Sequence, residues 1–314
     1  MEYREIGKTG IKISLVSFGT LTMSHVQKNM SPKDGSILIE KAIESGINYF
    51  DSAEIYDTYR HIGYKKLPDS VMIGAKSYAY EYDTMQLSIE KALRETKRDL
   101  IDVFMLHQQE SELTLRGHKP AIDCMLKAKE KGLIRLIGVS THHVECVKAA
   151  SEHEEIDIIF AIFNYRGLGI IDGTVFEMQK ALENAYNKGK GIFIMKGLGG
   201  GHCFREPQKA FGFLRQFPFI NSVVIGMQNE DEIKYNISMM SGLEIPKCVS
   251  DRLINRKRYL NVEHEGCQRC GRCVRRCDQK ALSLTENGIV VNRNKCILCG
   301  YCASVCPDFC LEVI

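Results

Sequence analysis

The amino-acid sequence predicts an α/β protein in two parts, a (β/α)8 barrel followed by a small α+β domain rich in cysteine. Short apolar runs alternate with helical stretches along most of the chain, and there are eight such runs, as a (β/α)8 barrel requires. Eight of the 13 cysteines then fall in two closely spaced runs. The predicted parts are residues 1–245 for the barrel, 246–262 for a linker helix and 263–314 for the cysteine-rich domain.

The eight apolar runs are rich in Ile, Val and Phe, which is typical of parallel strands buried on both faces. A short hairpin is predicted before them, over residues 3–14, with Gly7 and Gly10 at its turn. The predicted strands are Leu15–Thr20, Asn48–Ala53, Val71–Ser77, Ile101–His107, Arg135–Ser140, Ile156–Asn164, Gly191–Met195 and Ser222–Gly226.

Helices are predicted between these strands, and Ser31, Pro32 and Asp34 together form a helix start signal. A further helix, Cys248–Leu260, is predicted in the linker, followed by a loop over Asn261–Gly266. The predicted barrel helices are Ser36–Ser45, Thr84–Lys97, Ala121–Lys131, Val144–His153, Phe176–Lys188 and Asp231–Met240.

Both cysteine runs have the spacing C-x2-C-x2-C-x3-C, which is typical of proteins that bind two [4Fe–4S] clusters. Three thiolates on one tight turn can bind three irons of one cube, and the fourth cysteine points away to the other cube. One predicted ligand set is Cys267, Cys270, Cys273 and Cys306. The other predicted ligand set is Cys296, Cys299, Cys302 and Cys277.

Disulfide bonds or a structural zinc site would account for the cysteine spacing less well than two [4Fe–4S] clusters do. A disulfide framework suits small secreted chains, and structural zinc sites use one or two C-x2-C pairs with a long spacer. The segment closely resembles a two-cluster bacterial ferredoxin domain, and this resemblance implies two [4Fe–4S] clusters. Cys310 lies outside both sets and is interpreted as a packing residue.

Composition excludes several classes of protein. No apolar run is long enough for a membrane helix, and Met1-Glu-Tyr-Arg-Glu lacks the apolar core of a signal peptide, so a cytoplasmic protein is expected. Residues 251–280 hold nine Lys or Arg against four Asp or Glu. This basic window is interpreted first as a solvated face and second as a dock for an acidic electron carrier or an anionic substrate. Nucleic-acid binding is not expected, because no aromatic residues lie between the basic ones.

Ionisable residues stand where the predicted strands end, which is where barrel enzymes place their reactive groups. Asp51 ends the second strand, Lys76 lies at the end of the third and His107 ends the fourth. Tyr56 follows shortly after Asp51. The alternative is a structural polar cluster at the barrel mouth.

These residues resemble the aldo-keto reductase family over roughly residues 3–240. The family pattern has Asp, Tyr, Lys and His at these positions, so Asp51, Tyr56, Lys76 and His107 are predicted to be catalytic. The resemblance implies reduction of a carbonyl, or oxidation of an alcohol, by hydride transfer from a nicotinamide. Tyr56 would be the acid/base, Asp51 would hold Lys76, and His107 would orient the carbonyl oxygen. The Lys76 ammonium is expected to lower the pKa of Tyr56.

The positions that bind the cofactor in the aldo-keto reductase family match this sequence less well than the catalytic positions do. The residues predicted to bind a cofactor are Ser140, Asn164, Gly197, Gly199 and Gly226. Phe160 stands where the family has Gln, Met195 where an aromatic residue stacks on the nicotinamide, and Glu232 where an Arg grips a 2′-phosphate. NADPH is therefore disfavoured, while NADH, a flavin or no barrel cofactor at all stay open.

The ferredoxin-like domain is expected to pack near the barrel mouth, bringing one cluster towards Tyr56, because the linker is short. Nicotinamides transfer two electrons as hydride, whereas each cluster passes one, so a flavin, a partner flavoprotein or direct delivery to the substrate is needed. The predicted function is an iron–sulfur oxidoreductase acting on a small carbonyl or alcohol. The alternative is an electron-transfer subunit whose barrel is a scaffold and whose basic tail docks a redox partner.

Overall fold

The computed structural model describes residues 1–254 and 256–314. An antiparallel hairpin of Tyr3–Glu5 (β1) and Lys12–Ser14 (β2) comes first, as predicted. Eight parallel strands then close into a barrel, which confirms the predicted fold class. The barrel strands are Val16–Gly19 (β3), Tyr49–Asp51 (β4), Met72–Ser77 (β5), Ile101–Leu106 (β6), Ile134–Thr141 (β7), Ile158–Ile162 (β8), Gly191–Met195 (β9) and Ser222–Gly226 (β10).

Helices surround the barrel, and all six predicted ones are present. The first begins as predicted, since the Ser31 side chain accepts a hydrogen bond from the Asp34 N–H at 3.1 Å and Pro32 occupies the first turn. The helices are Pro32–Glu44 (α1), Tyr59–Ile62 (α2), Tyr82–Thr96 (α3), Glu112–Gly117 (α4), Lys119–Glu130 (α5), Val144–Glu152 (α6), Val175–Asn187 (α7), Pro207–Arg215 (α8) and Glu230–Ser241 (α9).

Apolar side chains fill the barrel at the amino ends of its strands. The hairpin contributes Ile6 and Ile13 to this interior cluster, where they join Tyr49 and Phe193. The Tyr49 and Phe193 rings pack edge to face, with their centroids 5.2 Å apart. A second, larger cluster fills the layer between the strands and the helices. The amino end is therefore plugged, and the carboxyl ends of the strands form the barrel mouth.

The tail folds around two small sheets. The linker contains the helix Lys247–Ile254 (α10), and a short helix Arg272–Arg276 (α11) follows the first cysteine turns. Leu260–Val262 (β11) pairs antiparallel with Leu311–Val313 (β14), and Leu282–Thr285 (β12) pairs with Gly288–Val291 (β13).

The linker helix departs from its predicted end. The predicted helix continued to Leu260, whereas in the structure it ends at Ile254 and Leu260 begins β11. Residue 255, which falls within the predicted helix, lies outside the described residues. Among the residues that are described, no helix is both long and apolar enough to cross a lipid bilayer.

Candidate functional site

The four residues predicted to be catalytic meet at the barrel mouth. Asp51 is the last residue of β4, Lys76 lies near the end of β5 and His107 directly follows β6. Tyr56 ends a single 3-10 turn that starts three residues after Asp51. The strands β4, β5 and β6 pair in parallel, with Asp51 opposite Gly74 and Lys76 opposite Met105, so their carboxyl ends lie at one edge of the barrel.

Lys76 and Asp51 form a buried ion pair. The Lys76 Nζ donates to both carboxylate oxygens of Asp51, at 2.6 and 2.7 Å, and to the carbonyl oxygen of Ser52 at 2.7 Å. Burial lowers the pKa of Lys76 and raises that of Asp51, and their mutual attraction opposes both shifts. Three accepting oxygens around one ammonium fix its position, as the sequence argument expected for Asp51.

Tyr56 lies between this ion pair and His107. The Lys76 Nζ is 5.3 Å from the centroid of the Tyr56 ring, and the rings of Tyr56 and His107 meet edge to face with centroids 5.8 Å apart. Burial raises the pKa of Tyr56 well above its usual value, and the negative charge of Asp51 raises it further. This shift is opposite to the predicted one, because burial and the negative charge of Asp51 both favour the neutral phenol.

His107 is neutral in this setting. Burial lowers its pKa well below the usual value, and the nearby Lys76, His142 and Lys196 lower it further. Its Nδ1 has no hydrogen-bond partner among the described residues. Tyr78 stacks on the His107 ring, with centroids 4.4 Å apart and planes 26° apart. A neutral imidazole can donate one hydrogen bond and accept another.

Three further residues line the mouth that the sequence analysis missed. Tyr78 directly follows β5, His142 directly follows β7 and Lys196 directly follows β9. Each stands immediately after the carboxyl end of a strand, so the rule that found His107 would have found them. His142 is buried, and its Nε2 lacks a hydrogen-bond partner in the described part of the chain.

Two of the predicted cofactor-binding residues use their polar groups within the barrel. Ser140 Oγ accepts a hydrogen bond from the Gln108 N–H at 2.9 Å. The Asn164 side chain donates to the Leu168 carbonyl oxygen at 2.9 Å and accepts from the Leu168 N–H at 3.0 Å. Both side chains are fully buried. Their cofactor-binding role stays a prediction.

The three predicted cofactor glycines are packed against protein atoms. A Cβ on Gly197 would lie 2.6 Å from Leu214, and one on Gly226 would overlap Thr22. Gly199 has a φ of 59° and abuts Cys203. The glycines therefore serve close packing at the strand ends, and their part in cofactor binding also stays a prediction.

The cysteine-rich tail packs on the mouth, as the sequence predicted. The Val313 N–H donates to the Gly200 carbonyl oxygen at 2.9 Å. Glu312 forms an ion pair with Lys196 at 3.3 Å and accepts a hydrogen bond from the Gln27 side chain at 2.8 Å. Its charge also contributes to the raised pKa of Tyr56.

A second set of contacts joins the second cysteine run to the barrel. Arg166 donates to the Cys299 carbonyl oxygen at 3.3 Å, and Arg205 donates to the Ile297 carbonyl oxygen at 3.1 Å. Gly300 lies against the His202 ring. The approach of a cluster to Tyr56 stays a prediction, but the domain that would hold it lies over the mouth.

The eight predicted cluster ligands surround two separate cavities. One cavity is lined by Cys267, Cys270, Cys273 and Cys306, and also by Cys310. The other cavity is lined by Cys277, Cys296, Cys299 and Cys302. Sets of four soft thiolate donors suit iron–sulfur clusters, so these residues fit the predicted groups.

Comparison with known proteins identifies the family to which the barrel belongs. Residues 15–211 match the model of the Aldo/keto reductase family. This chain is a member of that family. It is therefore an oxidoreductase. Residues 259–307 match the model of a 4Fe-4S dicluster domain, which supports iron–sulfur clusters in the tail.

Individual relatives of this family member are distant. L-galactose dehydrogenase of Arabidopsis thaliana is 22% identical over 288 residues, covering 78% of this chain and 89% of the relative. 6-dehydroglucose reductase of Novosphingobium aromaticivorans is 23% identical over 160 residues, covering 44% of this chain and 51% of the relative. The holo structure of aldo-keto reductase AKR11C1 from Bacillus halodurans shares the fold, with a TM-score of 0.65, 15% identity and coverage of 81% of this chain and 95% of that one.

Proposed function

We propose that this protein is an iron–sulfur oxidoreductase that reduces a small carbonyl compound, or oxidises the matching alcohol, at the barrel mouth. The single observation that carries the proposal is the convergence of Tyr56, His107 and the Lys76–Asp51 pair beneath the tail. An acid, a hydrogen-bonding imidazole and a fixed cation are the groups that a developing alkoxide needs.

Tyr56 is the proton donor in this proposal. Its raised pKa keeps the hydroxyl protonated at neutral pH, so it can give a proton to the carbonyl oxygen as negative charge builds there. In the oxidising direction the same hydroxyl would first have to lose its proton, because it would then accept the proton of the alcohol. A protonated Tyr56 and a neutral His107 can donate hydrogen bonds to the same oxygen.

Lys76 and Asp51 position the acid. The ammonium lies beside the Tyr56 ring and is fixed by Asp51 and the Ser52 carbonyl oxygen. A fixed positive charge stabilises an alkoxide more than it stabilises a neutral carbonyl. Lys76 therefore acts in this scheme on the charge that develops in the transition state.

The tail would supply the electrons. The eight cysteines would hold two [4Fe–4S] clusters, which pass single electrons when bound. Carbonyl reduction needs two electrons and two protons in total. The contacts of Glu312 and Val313 with the mouth support delivery from the tail to the barrel.

Sugars are the first substrates to test. The names of two relatives refer to galactose and dehydroglucose, which are polyhydroxy carbonyl compounds. The sequence does not exclude NADH as the reductant for the carbonyl. A cytoplasmic location stays a prediction.

The deciding experiment measures viologen-driven reduction of aldoses by anaerobic, cluster-loaded protein. We expect Tyr56→Phe to lower kcat by about 10²–10⁴-fold, the usual contribution of a general acid. Tyr82→Phe, on the first turn of α3, is the control and should be unchanged. Unchanged turnover in Tyr56→Phe would refute the proposal.

A second candidate is an electron-transfer subunit with a scaffold barrel. The observation that favours it is the exposure of Arg269, Arg272 and Arg275 beside the first cysteine run, which suits an acidic redox partner or flavoprotein. Normal reduction of the clusters with no turnover of any carbonyl would favour this candidate.

A further inference from the structure

The loops after the seventh and eighth barrel strands are where barrel proteins commonly bind phosphate groups. In this chain they follow β9 and β10. A dinucleotide whose nicotinamide reached Tyr56 would need one or both loops to be free for its pyrophosphate. Both loops are in contact with residues from the tail or the linker.

The loop after β9 is covered by the tail. Gly200 gives its carbonyl oxygen to the Val313 N–H at 2.9 Å. A Cβ on Gly200 would lie 2.5 Å from the Phe309 ring, and one on Gly201 would overlap the Val313 carbonyl. The His202 Nε2 donates to the Leu311 carbonyl oxygen at 2.8 Å. The tail therefore lies directly against this loop, in the space that a phosphate group would need.

The loop after β10 is held by its own residues and the linker. Glu232 accepts a hydrogen bond from the Gln228 N–H at 2.7 Å, and the Asn229 side chain accepts one from the Glu232 N–H at 2.9 Å. Arg256 donates to the side chains of both Gln228 and Glu232. The N–H groups of Gln228 and Glu232, which could bind an anion at the start of α9, are thus already paired.

An aromatic side chain of the tail lies at the mouth itself. Phe309 is 2% exposed, and the Lys196 Nζ lies 4.2 Å from its ring centroid. Its ring meets that of His142 edge to face at 6.2 Å. Gly169, after β8, also abuts Phe309, since a Cβ there would lie 2.5 Å from the ring. Phe309 therefore contacts the segments that follow three successive strands, β7, β8 and β9.

We propose that residues 309–313 fill the cleft in which this barrel would otherwise bind a nicotinamide dinucleotide. The residues present do not fit NADH or NADPH, and the protein binds neither at its mouth. The reductant is instead a low-potential one-electron donor of the ferredoxin class, a conclusion that rests on the function proposed above. Two such donors give one electron each, the carbonyl π bond breaks, and one O–H and one C–H bond form. Tyr56 gives the proton to oxygen and water gives the proton to carbon, after which a second water molecule reprotonates Tyr56.

The first test is binding. Cluster-loaded wild-type protein is titrated anaerobically with NADH and with NADPH, by calorimetry and by nicotinamide fluorescence. We expect no saturable binding up to about 1 mM, the upper end of ordinary enzyme–substrate affinities. Saturable binding of either nucleotide below that concentration overturns the inference.

The second test locates the covering strand by hydrogen exchange. The Val313 amide should be protected in the wild type, because it donates to Gly200. Gly201→Ala should remove that protection, since a Cβ would overlap the Val313 carbonyl. Gly132→Ala is the matched control, with a similar φ of 74° and no atom of the described residues within 4 Å of a Cβ. An unprotected Val313 amide in the wild type overturns the inference even if Gly201→Ala does not fold.

Both tests are independent of turnover. If Tyr56→Phe left viologen-driven turnover unchanged, the proposed function would fail while the covered cleft still stood. If NADH bound saturably while Tyr56→Phe lost turnover, the covered cleft would fail while the carbonyl chemistry still stood. The two ideas are therefore distinguishable.

Discussion

Lys76 donates hydrogen bonds to both carboxylate oxygens of Asp51, at 2.6 and 2.7 Å, with the two side chains only 1% and 5% exposed. A pair this deeply buried is costly to desolvate, so it adds little to stability as a whole. Losing one member is different, because the other is then a buried charge without a counter-ion. Substituting either Lys76 or Asp51 would therefore leave the charge of the other buried at the mouth without a counter-ion.

Asp51→Asn should destabilise the protein by about 3–5 kcal/mol, the usual cost of breaking a buried ion pair from one side. Urea unfolding of the barrel measures it. Glu40→Gln is the control, since Glu40 pairs with Lys65 at 2.8 Å on the surface, and such pairs are worth about 1 kcal/mol or less. Equal losses in the two variants would mean that Lys76 is uncharged in the folded protein.

His107 should make the protein sensitive to mild acid. Burial holds its folded pKa well below 6.5, whereas the unfolded chain binds the proton near 6.5. Stability is therefore fully present above 6.5 and is lost as pH falls below that value towards the folded pKa. The free energy of unfolding, measured from pH 8 to pH 5, should fall less steeply in His107→Gln. Parallel curves for the two proteins would contradict this prediction.

Single cysteine substitutions should remove one cluster at a time. Cys270→Ala and Cys299→Ala each delete a thiol from a different cavity, so each variant should lose about half of the iron while the other four-cysteine set stays complete. Iron analysis and electron paramagnetic resonance of the dithionite-reduced protein measure the loss. Full iron in Cys270→Ala would contradict the predicted ligand set.

Cys310 and Cys248 provide the controls for that series. Cys310 belongs to neither predicted set, although its N–H donates to the Cys306 Sγ at 3.3 Å. Cys248 lies on α10 and is exposed. Cys310→Ser and Cys248→Ser should both keep full iron.

Gly74→Ala should be strongly destabilising. A Cβ at Gly74, on β5, would overlap the buried Tyr49 hydroxyl of the neighbouring strand β4, and overpacking of this kind costs about 1–3 kcal/mol or more. A Cβ at Gly212, on α8, meets no atom within 4 Å in the described part of the chain, so Gly212→Ala should instead stabilise by about 0.5–1 kcal/mol. Thermal unfolding compares the two, and a Gly74→Ala protein as stable as the wild type would refute the packing argument.

Local sequence patterns predicted most of the barrel. Apolar runs and strand-end residues are visible in the chain itself, which is why Asp51, Lys76 and His107 could be named in advance. The helix Pro207–Arg215 was missed, because only about two turns separate its capping Glu206 from Gln216 and Gly212 interrupts the pattern. Short segments of that kind give too few periods to recognise.

Long-range pairing could not be predicted. Leu260 was assigned to a helix, yet it pairs with Val313, and no local signal identifies a strand partner so far along the chain. The predicted direction of the Tyr56 pKa shift was wrong for a related reason. It depends on burial in the folded barrel, on the charge of Asp51 and, to a smaller extent, on Glu312 from the tail, and all three act only once the chain has folded.

The ribosome makes β14 after every barrel strand and after both cysteine runs. This one strand completes the sheet with β11 and also bonds to Gly200 at the mouth. A nascent barrel can therefore fold while its mouth is still open, and the mouth closes in the same event that completes the tail. A tail this small would need bound clusters to fold, and the cell's iron supply would then determine how much of the protein has a closed mouth.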